Sequence, residues 1–206
     1  MAEDEQPQIT LLTPPDFDLG SFPAQLDAVL AAHPVACLRL GLATRDEDRI
    51  MRAADACREV AHRHDVAMVI DTHVVLAQRL GLDGVHLLDG ARTVRYARKE
   101  LGADAIVGAF CGASQHDGMT AGEAGADYIG FGPVGASALG DGTRADLDLF
   151  QWWSEVIELP VVAEGALDPD TVAAYAPFTD FFTFGEEIWS TDDPAKALSA
   201  LTAAMR

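Results

Sequence analysis

Eight short apolar runs alternate with segments of helical periodicity along this chain, and that alternation admits very few folds. The runs are Ile9–Thr13, Val35–Leu40, Val66–Ile70, Gly84–Leu88, Ala105–Phe110, Tyr128–Gly132, Pro160–Ala163 and Phe181–Phe184. They are short and mostly uninterrupted by polar residues, the pattern of strands buried on both faces of a parallel sheet. Between them, 46–64 carries apolar residues at Ile50, Ala53, Ala54, Cys57, Val60 and Ala61, close to a 3.6-residue period, behind Thr44 or Asp46 as N-cap. Helices are likewise expected over 22–32, 74–80, 91–101, 119–124, 147–157, 169–175 and 194–205, with Pro23, Pro169 and Pro194 placed for a first turn.

A weak repeat marks three helix-to-strand junctions: LGLDGVHL from Leu80, LGADAIVG from Leu101 and AGADYIGF from Ala124. In each, a glycine suited to a left-handed helix end precedes a polar corner and a buried strand. Eight βα units joined by short loops predict one (β/α)8 barrel, a TIM barrel, as a single domain over 1–206, with 1–8 a flexible acidic N-terminus. An open doubly wound sheet is the alternative, but no GxGxxG follows the first strand, which disfavours a dinucleotide-binding version.

Charge narrows the partners. Fourteen Lys and Arg stand against 33 Asp and Glu, a net charge of −19, which argues against nucleic acid or an anionic membrane surface as partner. Only two lysines occur, Lys99 and Lys196, both in expected helices, so lysine-dependent chemistry is disfavoured. The three cysteines, Cys37, Cys57 and Cys111, show no CxxC spacing and read as free intracellular thiols. The start MAEDEQPQ has no basic or apolar region of a signal peptide, and no run is long enough to span a membrane. A soluble cytoplasmic protein is expected.

In a barrel of this kind the chemistry lies at the C-terminal ends of the strands, with phosphate commonly held by the loops after strands seven and eight. Those ends present Arg39, Asp71, His73, Asp89, Cys111, the stretch 132–142, Glu164-Gly165-Ala166 and Gly185-Glu186-Glu187. Arg39, Asp71, His73 and His116 are the catalytic candidates, and either histidine could serve as a general base. Arg39 either pairs with Asp71 or contacts a ligand. Asp71, Asp89, Glu164 and Glu186 either converge on one cation or line the rim. His86 reads as a packed histidine, Cys111 as a small buried thiol, and Trp152 and Trp153 as packing anchors.

The motifs LLTPP (11–15), LGLDGVHLL (80–88), AIVGAFC (105–111), AGADYIGFGPV (124–134) and LFQWWSEVIELPVVAEGAL (149–167), with IW at 188–189, span nearly the whole chain. In this order they resemble the thiamine phosphate synthase family and its thiazole-tautomerase relatives. The resemblance implies the barrel, a homodimer, and a magnesium-dependent transferase reaction that joins an aminopyrimidine diphosphate to a thiazole phosphate with release of pyrophosphate. The diphosphate would leave first, and the thiazole nitrogen would capture the resulting pyrimidine cation. Cationic groups around the leaving group are what such a step requires.

Several family positions carry other residues here. Cys37 and Gly41 stand where the family has glutamine and lysine around the matching Arg39, and Asp71-Thr72 stands for an Asn-Asp pair. The two metal aspartates fall on Thr72 and Ala91, leaving Asp71 and Asp89 as substitutes, and no metal is expected unless the family activity is kept. Phe110 replaces a serine, Pro133 the tautomerase histidine, and GASALGDG (135–142) a lysine-bearing loop. The phosphate turns read Glu164-Gly165-Ala166 and Gly185-Glu186. Ligand contacts are therefore expected from Arg39, Asp71, Glu164, Gly165, Ala166, Gly185 and Glu186. Two readings follow: a divergent synthase whose family reaction is weakened, or a non-catalytic relative binding a neutral or cationic thiamine-related small molecule.

Overall fold

The computed structural model describes residues 6–206. Eight strands, β1 (Gln8–Leu12), β2 (Val35–Leu40), β3 (Ala67–Asp71), β4 (Gly84–Leu87), β5 (Ile106–Phe110), β6 (Tyr128–Phe131), β7 (Val161–Glu164) and β8 (Phe181–Phe184), close into one barrel in chain order. Every pairing is parallel, and β1 bonds to both β2 and β8. The helices are α1 (Phe22–Ala32), α2 (Glu47–Arg63), α3 (Val74–Leu80), α4 (Val94–Leu101), α5 (Gln115–Ala124), α6 (Leu147–Val156), α7 (Pro169–Tyr175), α8 (Glu186–Trp189) and α9 (Pro194–Thr202). The fold is the expected TIM barrel. Of the N-terminal stretch, residues 1–5 lie outside the described residues, and Gln8 already pairs with β8. Among the described residues no helix is long and apolar enough to cross a membrane.

Local chemistry accounts for the boundaries. Asp46 caps α2 through bonds from the Asp48 and Arg49 N–H groups, and Gly81 and Gly125 end α3 and α5 at φ +61° and +104°. The polar corner of the repeat also has a structural task. Asp83 and Asp127 each stand just before an even-numbered strand and accept the backbone N–H of the preceding strand, at Met68 (2.6 Å) and Val107 (2.7 Å). Asp180 does the same for Val161 before β8, outside the recognisable repeat.

α4 begins at Val94 rather than at 91, and two further helices depart more from the sequence expectation. α5 begins four residues earlier than periodicity suggests, because Ser114 caps the Asp117 N–H, and its Gly118 lies against Trp153 and Phe131 where no Cβ fits. α8 is an additional single turn directly after β8, secured by Trp189 Nε1 donating to the Leu12 carbonyl at 2.7 Å.

Successive strand residues alternate between the helix layer and the barrel interior. The outward set packs apolar contacts such as Phe131, Phe150, Trp153 and Tyr175, joined edge to face. The inward set is smaller at the N-terminal end, where Cys37, Ala67 and Val69 leave a pocket of about 210 Å³ beneath Arg39 and Tyr128. Partial filling of such a space by Ala67→Val should stabilise the barrel by about 0.5–2 kcal/mol, raising Tm by roughly 2–4 °C for each kcal/mol gained. A fall in Tm in a thermal melt would show that the pocket has no room for two further carbons.

Candidate functional site

The barrel axis is occupied by a cluster of polar side chains drawn from five strands. Arg39 on β2 donates from Nη1 to Glu164 Oε2 on β7 at 2.8 Å, and its Nε lies 2.8 Å from Asp71 Oδ1 on β3. Arg39 is 5% exposed and Glu164 2%, so both charges are largely out of water. His86 on β4 shares a 2.8 Å hydrogen bond between Nδ1 and the Tyr128 hydroxyl on β6. Its Nε2 faces Glu164 Oε1 at 3.9 Å, and neither atom has a hydrogen-bond partner. Glycines make the room: a Cβ at Gly130 would fall 2.9 Å from Glu164 Oε1, and one at Gly108 would fall 2.0 Å from the Tyr128 ring.

The electrostatics follow from this burial. Desolvation opposes charge on Arg39, but Glu164 and Asp71 outweigh it and keep the guanidinium protonated. Burial, reinforced by the Arg39 charge, pushes His86 well below its ordinary range, so the imidazole is neutral. Burial also holds the Tyr128 phenol protonated. Asp71 is raised to about 6, because desolvation exceeds the stabilising pull of Arg39. One cation thus stands between two carboxylates, and the cluster becomes net negative as Asp71 ionises.

Above the cluster, the loop between β6 and α6 is laced to the turn after β7. The Val134 and Gly135 N–H groups donate to Glu164 and Gly165 carbonyls, and a Cβ at Gly165 would fall 2.9 Å from Leu139 Cδ2. Gly165 and Ala166 both adopt positive φ, +90° and +56°. Glu187 accepts the Leu167 N–H on Oε1 at 3.1 Å and the Gly185 N–H on Oε2 at 2.8 Å, tying the turns after β7 and β8 together. Beside the mouth, a groove of about 930 Å³ runs along Asp89, Phe110, Cys111, His116 and Asp141.

Of the residues singled out in the sequence, the structure brings together Arg39, Asp71 and Glu164. Asp89 instead accepts the Thr93 hydroxyl at 2.8 Å, Glu186 is exposed, and His116 is exposed in the side groove. His73 precedes α3 and lines a smaller depression with Thr72 and Asp89. Burial pushes the Cys111 thiol up to about 12, which leaves no thiolate at neutral pH. Tyr128 escaped the sequence reading because it looks like an ordinary strand aromatic. Glu187 stands there only within Gly185-Glu186-Glu187, with the ligand contact expected from Glu186; its own role becomes visible once the extra turn α8 is known. At the positions the resemblance assigns to metal ligands, Thr72 and Ala91 offer no carboxylate, and of the two substitutes Asp71 is engaged by Arg39 and Asp89 by the Thr93 hydroxyl. Among the described residues no group of three or more His, Cys, Asp or Glu is placed to hold a metal ion.

These features define a parallel (β/α)8-barrel protein with a charged axial cluster beneath the loops at the strand C-terminal ends. The sequence pattern described as thiamine monophosphate synthase matches residues 9–178, and the chain belongs to that family. It is similar to a thiamine-phosphate synthase of Erythrobacter litoralis, 38% identical over 95% of this chain and 94% of the relative. One of Rhodospirillum centenum is 37% identical over 97% and 98%. Its fold is similar to the thiamine phosphate pyrophosphorylase from Pyrococcus furiosus, with TM-score 0.82 and 19% identity over 96% of this chain and 95% of that one.

Removing the cation from the cluster leaves two buried carboxylates facing each other. Arg39→Met should cost about 3–5 kcal/mol. Glu164→Gln, which keeps an oxygen acceptor for Arg39, should cost less than about 2 kcal/mol. Urea unfolding of both variants checks the order, and a cost below about 1 kcal/mol for Arg39→Met is inconsistent with an essential buried cation. Asp71 gives a pH signature. Its folded pKa of about 6 lies above the ordinary aspartate value of 3.8, so its contribution is fully present below pH 4 and is lost as pH rises through 6. Asp71→Asn removes that loss, so its stability relative to wild type should improve by about 3 kcal/mol between pH 4 and 7. A pH-independent difference excludes the raised pKa.

Proposed function

We propose that this chain uses the family's barrel mouth to bind a small neutral or cationic heteroaromatic ligand related to thiamine, without coupling two phosphorylated substrates. One observation carries this reading. Arg39, the cation that the resemblance places beside the leaving diphosphate, is buried between Asp71 and Glu164 and has no free charge to offer. The other arginines near the strand-end loops, Arg45, Arg92 and Arg144, are exposed. A phosphate about 6 Å from the surplus carboxylate meets roughly 3 kcal/mol of repulsion at an effective dielectric near 20. The same negative charge attracts a cation or an amino-substituted ring. Nothing in this reading requires magnesium.

The similarity to synthases across nearly the whole chain supports a second reading, in which the mouth loops rearrange and the coupling reaction survives at reduced rate. Single-turnover formation of thiamine phosphate from both family substrates, with magnesium and beside an active relative, separates the two. The expected result is product below about a thousandth of the control rate, a deficit of at least some 4 kcal/mol in transition-state stabilisation. Product above that level overturns the binding-only reading. Titration with thiamine and with unphosphorylated pyrimidines and thiazoles, followed by calorimetry, should then show saturable binding to the folded chain.

A further inference from the structure

In barrels of this architecture, the backbone N–H groups of the loops after the seventh and eighth strands commonly form an oxyanion cradle. Here the chain fills that place with its own carboxylate. Glu187 spans the two loops, taking Leu167 N–H (3.1 Å) from one and Gly185 N–H (2.8 Å) from the other, one carboxylate oxygen to each. Leu167 is 4% exposed and Gly185 is buried, so these donors have little access to water and the carboxylate satisfies them. Charge-assisted bonds to backbone N–H are among the stronger hydrogen bonds available to a protein. Two of them hold Glu187 between the turns after β7 and β8.

The cation near this place is Arg144, whose charge is felt by Asp168, the residue after Leu167. The neighbouring loop between β6 and α6 contains no lysine, its Arg144 is exposed, and Leu139 lies against Gly165. An incoming phosphate must therefore displace Glu187 or sit beside its charge. A neutral ring meets neither obstacle.

We propose that Glu187 is a built-in occupant of the oxyanion cradle and a specificity determinant that excludes phosphate monoesters from this end of the mouth. The inference deepens the reading of an unphosphorylated ligand and rests on it for the ligand's class. Glu187 holds the two strand-end turns in the geometry that a bound phosphate would otherwise impose. The fold therefore keeps the cradle's shape while refusing its usual guest.

The test titrates inorganic phosphate into wild type, Glu187→Ala and Glu187→Gln, with backbone amide chemical shifts as readout. Wild type should show no saturable shift at Leu167 or Gly185. Glu187→Ala should bind phosphate at least about tenfold more tightly than wild type, with the largest shifts at those two amides. Glu187→Gln, nearly isosteric and uncharged, should gain less, and it decides the matter if Glu187→Ala does not fold. No gain in a folded variant, phosphate shifts located elsewhere, or equal binding by wild type each overturns the proposal. The amide shifts are independent of turnover. Wild-type synthase activity would therefore overturn the binding-only reading, whereas a missing phosphate gain in the variants would overturn only the role of Glu187.

Discussion

A guanidinium sealed inside a barrel imposes its own neutralisation, and much of the interior here is arranged around Arg39. An unpaired charge at 5% exposure would be prohibitively costly, so carboxylates must approach from other strands. Asp71 comes from the neighbouring strand and Glu164 from across the barrel. Glu164 in turn needs the missing side chain of Gly130 for its second oxygen, and Tyr128 needs that of Gly108. Burial, reinforced by the fixed positive charge of Arg39, keeps His86 neutral. The residues facing the axis are thus not independent choices. Each follows from a buried cation and from strands that allow only every second residue to face inward.

The architecture was legible in the sequence because buried parallel strands write themselves as uninterrupted apolar runs. All eight runs became strands, with no end displaced by more than one residue, as where Gln8, Asp71 or Glu164 still pairs in the ladder. The site was less legible. Pairing of Arg39 with Asp71 is a neighbour relation that strand order makes available, whereas the Arg39–Glu164 contact joins strands on opposite sides of the barrel and has no signature in spacing. The rim acids illustrate the same limit. Asp71, Asp89, Glu164 and Glu186 look equivalent as strand-end carboxylates, yet two turn inward, one bonds a threonine and one is exposed. Which occurs depends on side-chain direction, and that depends on strand ends shifting by a single residue.

The extra turn α8 shows how a small backbone event changes chemistry. Read as the tail of a strand, Gly185-Glu186-Glu187 offers Glu186 to the mouth. Once Gly185 leaves the strand and the chain turns, Glu186 points to solvent and Glu187 reaches back across the β7 loop. The Trp189 bond to the Leu12 carbonyl anchors that turn to the first strand. One residue of phase therefore decides which of two adjacent carboxylates is structural and which is free.

These two carboxylate placements have a common electrostatic logic. A site built for phosphate concentrates donors and cations, and such donors left empty in a dry turn are costly. A chain that binds no phosphate, as we propose for this one, must either lose the donors or satisfy them from within. Backbone N–H groups cannot be mutated away, so at Leu167 and Gly185 satisfaction by Glu187 is the available route. A side-chain cation can be lost, and the mouth loop contains no lysine. Arg39 is the intermediate case: it is retained and neutralised by Asp71 and Glu164. A lysine-poor mouth and inward-turned acids are then consistent parts of one adjustment, because each carboxylate lies against a donor that would otherwise be unpaired.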